Sequence, residues 1–540
     1  MNKSDLRRQV AELFIVRASG FNLDSQRLYP NLELANTNLK RLLEEGVGGV
    51  ILLGGTVKEL EIRCKVLKEW AACKPLLLCA DIEEGLGQRF YGGTNFVPPM
   101  GIAQIYKKDH NLGISIAEKI GYYTGKEAKD IGLNWLLAPV CDINNNSKNP
   151  VINLRAWGQD PETVTTLTSA FQRGVRRANI LTCAKHFPGH GNSEVDSHLD
   201  LPEIKSDLSQ LEKFELIPFK SLINQGVNSV MIGHLSFPYI DPLYPATLSK
   251  NLVNDILRTK LEFDGLVVTD ALVMKAISNK YSSGIASVMA FDAGVDLLLM
   301  PQDIDEAIDS LTEAFYSGRL SINSLKRSRE RRRKQIDLAN INSKFQKRES
   351  KSKFLLEVSD FSKFIIRKSI FSRNSTINKV YKNDINLIKI DDFDQINNKL
   401  IPALALPKNI GFKTLIIHPL GISPWQRKNK IFFDQEQIGS GRILVQLFVR
   451  GKPFIGADYS VHQWVEAIKK IEIEERLLGV IVYGCPYLFD RINKHIHYSI
   501  PLAYSPSQVE EAQNQILCRI FNSKIFHEKI DKKSIQEFTD

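Results

Sequence analysis

The chain has 540 residues, 43% hydrophobic and 24% charged, a globular composition at a length that calls for two domains or a barrel with a companion. Twelve basic and three acidic residues between Lys326 and Lys353 carry nine of the ten net positive charges, so the basic pI does not imply a nucleic-acid partner. No apolar run approaches the roughly 18 residues that span a bilayer, which excludes a membrane-spanning helix.

In chain order, Met1 to Arg8 carries no apolar segment leading to a small-residue cleavage site, which argues against export. Eight short apolar runs follow, over Leu13 to Ala18, Val47 to Leu53, Pro75 to Asp81, Leu133 to Val140, Ile180 to His186, Ser229 to Leu235, Gly265 to Asp270 and Val295 to Met300. Their continuous Val, Ile and Leu content suits strands buried on both faces of a parallel sheet. Helix-like stretches separate them, including Val57 to Trp70, Asn111 to Lys129, Thr163 to Arg177, Asp207 to Gln225 and Ile304 to Ser317. The pattern predicts an α/β chain whose residues 1–340 form an N-terminal (β/α)8 TIM-type barrel, with its chemistry at the C-terminal strand ends.

Several of those ends are polar. The third run passes into Asp81-Ile82-Glu83-Glu84-Gly85 and then Gln88-Arg89-Phe90, and the loop after the fourth passes Asp142 and reaches Arg155, a guanidinium able to grip a hydroxyl or carboxylate by paired hydrogen bonds. The fifth opens into Lys185-His186-Phe187-Pro188-Gly189-His190-Gly191-Asn192-Ser193-Glu194-Val195-Asp196-Ser197-His198. Asp196 and His198 stand two apart, so in extended backbone they share a side, and the carboxylate can hold and polarise the imidazole. Proton transfer by His198 is the favoured reading, because imidazole can act as acid and then base. A metal site using His186, His190, His198 and Asp196, and a purely structural loop, are the alternatives. The sixth run ends in His234, which either lines the site or braces the core. The seventh ends in Asp270, where burying a carboxylate is costly without partners, and Asp270 is the candidate nucleophile.

The Lys185 to Gly191 run followed by Asp196-Ser197-His198 resembles the signature of bacterial β-N-acetylglucosaminidases of glycoside hydrolase family 3. The resemblance implies a retaining glycosidase that removes terminal β-linked N-acetylglucosamine from peptidoglycan-derived fragments. It assigns Asp270 as nucleophile, His198 as acid/base and Asp196 as its partner, and Asp81, Arg89, Arg155, Lys185 and His186 as ligands of the sugar. Leu86 stands where family members commonly carry Arg, and Glu84 where they carry Gly. No metal and no cofactor are implied. A family 3 β-glucosidase or xylosidase, a phosphorylase in which phosphate replaces water, and a sugar-binding protein that has lost activity are the competing readings.

Past the eighth run, Lys326 to Lys334 reads as a solvated helix face joining two domains, with contact to an anionic surface as the alternative. A basic linker is expected at 341–353 and a smaller C-terminal α/β open-sheet domain at 354–540. Its apolar runs are Asn386 to Ile390, Thr414 to His418, Ile443 to Gly451, Gly479 to Gly484 and Ile500 to Ser505. Ser507 and Glu510 have the capping-box spacing ahead of a packed helix, and His495 and His497 are expected to be structural. The seven cysteines form no Cys-x-x-Cys pair and read as buried thiols of a soluble, cytoplasmic protein.

Overall fold

Burial of side chains on both faces draws the first eight apolar runs together as parallel strands. The computed structural model describes residues 2–341, 350–373, 375–390, 401–417, 426–427, 430–431, 438–450 and 460–522. Its contacts divide the chain into two units, Met1–Asn95 with Ile102–Ser359, and Phe96–Gly101 with Asp360–Asp540. Of the linker expected at 341–353, residues 342–349 lie outside the described residues.

In the first unit the strands are β1 (Phe14–Ser19), β2 (Gly49–Leu53), β3 (Leu77–Ala80), β4 (Trp135–Leu136), β5 (Cys183–Phe187), β6 (Ser229–Ile232), β7 (Leu266–Thr269) and β8 (Leu298–Leu299). They pair in the order β4-β3-β2-β1-β8 and β5-β6-β7. Parallel bridges from Trp135 to Leu181 and from Val268 to Leu297 join the two runs into a closed barrel. Ile15, Ile51, Cys79, Trp135, Cys183, Met231, Val268 and Leu299 belong to one buried cluster, so the interior is packed and chemistry is confined to the strand ends.

Two elements differ from the sequence expectation. β4 is shorter than the run Leu133 to Val140, because Pro139 has no N–H for the ladder; the carbonyls of Ala138 and Pro139 still accept from Cys183 and Lys185 at 2.8 and 3.2 Å. The helix expected over Asp207 to Gln225 is two helices, Leu208–Lys213 and Leu216–Asn224. The break falls at Phe214, four residues before Pro218, where the proline ring would clash with the helical carbonyl.

The basic run lies on the helix Ile322–Ile341. Its face of Leu325, Ser328, Arg332, Gln335 and Ile336 is buried, with helical spacing. Arg332 donates to the carbonyls of Gly48 and Pro75 at 2.8 and 2.6 Å, Arg329 forks onto Glu12, and Ser328 and Arg331 reach Asp296. These partners precede strands, so the helix covers the barrel's N-terminal mouth, opposite the polar strand ends. Only part of the run, including Lys326, Arg327, Arg333 and Lys334, is the solvated face expected.

The second unit is an open sheet. It contains β9 (Phe371–Ser372), β10 (Ile385–Ile390), β11 (Lys413–Ile417), a ribbon of β12 (Gln426–Arg427) and β13 (Lys430–Ile431), then β14 (Ile443–Val449), β15 (Leu477–Gly484) and β16 (Leu502–Ser505). The main order is β11-β10-β14-β15-β16-β9, parallel except for the antiparallel edge strand β9. His418 and Gly451, the ends of two expected runs, lie outside the described residues. The closing helix is Glu510–Ile520, burying Ala512, Ile516, Leu517 and Ile520 as the spacing predicts, but its N-cap is Val509 and not Ser507. Ser507 is held in the preceding turn, its amide donating to Ser505 Oγ at 3.1 Å. His495 ends a helix with Nδ1 on the Arg491 carbonyl, and His497 Nδ1 meets Ser499 Oγ, both at 2.7 Å.

Candidate active site

Each polar strand end contributes to one connected set of charges. After β3, Glu83 is buried and its two carboxylate oxygens receive Arg155 Nε and Nη2, both at 2.8 Å. Lys185, 1% exposed, lies on β5 and bridges Glu83 at 2.7 Å and Asp81 at 2.8 Å. Burial pushes the Glu83 carboxyl up, but Arg155 and Lys185 together hold it well below the usual range. Burial likewise opposes the Lys185 charge, and Asp81 and Glu83 more than offset it. Asp81 keeps a third of its side chain exposed, so it retains a face for a ligand. Arg89 donates through Nε to the Asp81 carbonyl at 3.0 Å.

His186 is oriented by Asp142, which follows β4. Its Nδ1–H donates to Asp142 Oδ2 at 2.7 Å, leaving Nε2 to accept from Arg155 Nη2 at 3.4 Å. The same carboxylate accepts the backbone amides of His186 and His190 through Oδ1, at 3.2 and 2.7 Å. Burial opposes the Asp142 charge, but the imidazoles of His186 and His190 and these hydrogen bonds keep the carboxyl below its ordinary value.

Asp196 and His198 form the expected pair. Asp196 Oδ1 accepts both Nδ1–H and the backbone amide of His198, at 2.8 and 2.9 Å. The Asp196 side chain is fully buried, whereas that of His198 is 20% exposed. A buried carboxylate thus aims an accessible imidazole, fixing the ring and the tautomer with Nδ1 protonated.

Asp270 follows β7 and accepts the Ala271 amide through Oδ1 at 2.7 Å. Burial raises its pKa, but the electrostatic influence of the His186, His234 and His198 imidazoles, with that amide, brings it down to about 2. The surroundings therefore favour the ionised carboxylate. His234, left open between lining and bracing, is buried with both nitrogens engaged: Nδ1 with Thr247 Oγ1 at 2.7 Å and Nε2 with the Ala271 carbonyl at 3.0 Å. It braces the segment that carries Asp270.

The structure thus joins Asp81, Arg155, Lys185 and His186 through a shared network, with Arg89 on the Asp81 backbone, and brings the imidazole charges of His186 and His198 to bear on Asp270. Sequence reasoning singled out neither Glu83 nor Asp142 as organisers, although Glu83 stands three residues after β3 and Asp142 two residues after the apolar run Leu133 to Val140. Among the described residues, no group of three or more His, Cys, Asp or Glu side chains could hold a metal ion. No helix of the described residues is long and apolar enough to cross a membrane.

The sequence pattern of the glycosyl hydrolase family 3 N-terminal domain matches residues 5–333, and that of the bacterial glycosyl hydrolase family 3 C-terminal domain matches residues 377–522. A β-hexosaminidase of Chromobacterium violaceum is 34% identical over 277 residues, covering 51% of this chain and 77% of that protein. A glycoside hydrolase family 3 β-N-acetylglucosaminidase from Paenibacillus sp. superposes with a TM-score of 0.75 at 26% identity, covering 95% of each chain. NagZ from Neisseria gonorrhoeae superposes with a TM-score of 0.53 at 25% identity, covering 66% of this chain and 97% of that one. With the two domain patterns matched over most of its length, the chain belongs to glycoside hydrolase family 3 and is a glycosidase.

Proposed function

We propose that this protein is a retaining β-N-acetylglucosaminidase, with Asp270 as nucleophile and His198, paired with Asp196, as acid/base. The observation that carries the reading is a carboxylate at the end of β7, held on the Ala271 amide, together with a partly exposed imidazole whose Nδ1–H is fixed on a buried carboxylate. The two groups have the complementary roles that double displacement needs.

In the first step Asp270 attacks the anomeric carbon while His198 Nε2 gives its proton to the departing glycosidic oxygen. Asp196 stabilises the imidazolium before transfer and holds the ring in register afterwards. In the second step neutral His198 takes a proton from water, whose oxygen attacks the anomeric carbon and releases Asp270. Asp81, Arg89, Arg155, Lys185 and His186 bind the sugar, and the buried acids behind three of them fix their positions before it arrives. The similarity to β-hexosaminidases and to a β-N-acetylglucosaminidase of the same two-domain build supports the acetamido sugar. We infer peptidoglycan-derived fragments as the natural substrates, and a reducing, cytoplasmic setting from seven cysteines of which six are buried.

The test compares aryl β-N-acetylglucosaminide with aryl β-glucoside, using wild type, Asp270→Ala and His198→Ala. Cleavage of the acetamido sugar alone, lost in Asp270→Ala and strongly reduced in His198→Ala, is expected. Folded wild type that cleaves neither substrate would sink the reading. Repeating the assay in phosphate separates hydrolysis from phosphorolysis, and repeating it with chelator tests the metal alternative.

A further inference from the structure

The loop that carries the acid/base pair is exposed at Asn192, Glu194, Val195, Leu199 and Asp200. Three polar side chains of the same stretch, Ser193, Asp196 and Ser197, are buried. Two of the three end on one ring: His190 Nδ1 meets Ser193 Oγ at 2.8 Å, and its Nε2 meets Ser197 Oγ at 3.1 Å. Ser197 is the residue between Asp196 and His198.

The protons can be assigned from the neighbours. Ser193 Oγ donates to the His190 carbonyl at 3.2 Å and accepts from Asn149 Nδ2 at 3.3 Å. Its own proton being used, it accepts from the ring, so Nδ1 of His190 carries the hydrogen and Nε2 is an acceptor. Ser197 then donates its hydroxyl to Nε2. Burial lowers the His190 pKa to about 4, which keeps that lone pair available. The backbone beneath is fixed independently: the His190 amide donates to Asp142, and Asn149 donates to the carbonyls of His190 and Gly191 at 2.8 and 3.0 Å.

We propose that His190 is a positioning residue for proton transfer, its ring anchoring Ser197 and thereby placing the Asp196–His198 pair at the glycosidic oxygen. This rests on the acid/base reading above. His190 touches no substrate in this scheme. Through Asp142, its backbone is tied to the carboxylate that also orients His186, so the sugar site and the acid/base loop share one buried anchor.

The role has a signature that general destabilisation lacks. A misplaced acid slows departure of a basic leaving group, whereas a leaving group that needs no proton departs as before. Wild type, His190→Phe, Ser197→Ala and His198→Ala are compared on 2,4-dinitrophenyl and 4-methylphenyl β-N-acetylglucosaminides, with inhibition by N-acetylglucosamine as a gauge of sugar binding. His190→Phe and Ser197→Ala are expected to lower kcat/KM for the methylphenyl substrate roughly 10- to 100-fold, within the range of acid catalysis. The dinitrophenyl substrate and the inhibition constant should change by less than about threefold, and the double variant should lose little more than either single one, because the residues act as a unit. Ser197→Ala decides the matter where His190→Phe does not fold. Equal losses on both substrates, or none on the methylphenyl substrate, would overturn the inference. If His198→Ala itself discriminates between the substrates and these variants do not, His190 alone is refuted; if His198→Ala does not discriminate, the acid/base assignment falls and the inference with it.

Discussion

Glu83→Gln isolates the electrostatic support of the proposed sugar site. In the native protein Lys185 and Arg155 face Glu83 and Asp81, with Glu83 in contact with both cations at 2.7 and 2.8 Å. Glutamine keeps the shape and can accept one hydrogen bond, but two buried cations then face a single carboxylate. Removing one partner of a buried ion pair costs about 3–5 kcal/mol. At roughly 2 °C per kcal/mol for a unit of this size, Tm should fall by about 6–10 °C. The two cations also exchange a carboxylate that aims both for a single amide oxygen, so KM should rise roughly tenfold, equivalent to about 1.4 kcal/mol of binding. Differential scanning fluorimetry and steady-state kinetics give the two numbers. Adding Lys185→Met to Glu83→Gln should recover at least half of the lost Tm, since it removes the uncompensated cation, while kcat/KM stays low. A Tm change below about 2 °C together with an unaltered KM would refute the charge accounting.

Two further variants probe stability away from the catalytic groups. Glu127 is buried, accepts from Thr94 Oγ1 at 2.8 Å, and is raised by burial from 4.5 to about 7. The folded state therefore binds the extra proton, and stability declines as pH rises from about 4.5 through about 7, by roughly 3 kcal/mol in total. Glu127→Gln should raise Tm at pH 8 and leave it nearly unchanged at pH 5; equal shifts at both pH values would contradict the assignment. Arg332→Met removes the donor shared by the Gly48 and Pro75 carbonyls and should cost about 2 kcal/mol, read as a Tm fall of roughly 4 °C with kcat/KM unchanged at 25 °C. A loss of activity without a loss of stability would show that the barrel's two ends are coupled.

The parts of the site legible in the sequence are those made locally. Asp196 and His198 pair across two residues, and Asp270 announces itself as a charge ending an apolar strand. The partners of Arg155 and His186 are 72 and 44 residues away in sequence, and nothing in the chain says which carboxylate a closed barrel will bring to which cation. The barrel was readable because eight apolar runs separated by helix-like stretches leave few ways to bury them all. The buried face of the helix Ile322–Ile341 escaped because Ser328, Arg332 and Gln335 occupy it: polar residues satisfied by strand-entry carbonyls and carboxylates look solvated until those groups are placed. Ser507 shows the converse, a capping signal overridden by a turn that uses the same residue. The break before Pro218 escaped the expectation of one helix over Asp207 to Gln225, although proline's demand on the preceding turn is local.

The chemistry of the proposed proton donor, His198, bears directly on the proposed nucleophile, Asp270. The Asp270 carboxyl is held at about 2 by imidazole charges that include His198. A carboxylate in place of that imidazole, at the roughly 5.5 Å separation usual in retaining glycosidases, would act on Asp270 with about 3 kcal/mol at an effective dielectric near 20. That corresponds to roughly two pKa units upward, before the lost attraction of the imidazole is added. His198→Glu is therefore expected to move the acid limb of the nucleophilic step upward by at least about two pH units, because Asp270 now becomes protonated, and ceases to attack, at a higher pH. The pH dependence of the dinitrophenol burst reads this directly, since release of that group needs no proton from residue 198. An acid limb that stays where wild type has it would mean that the charge at residue 198 does not reach Asp270, and that the imidazole serves proton transfer alone.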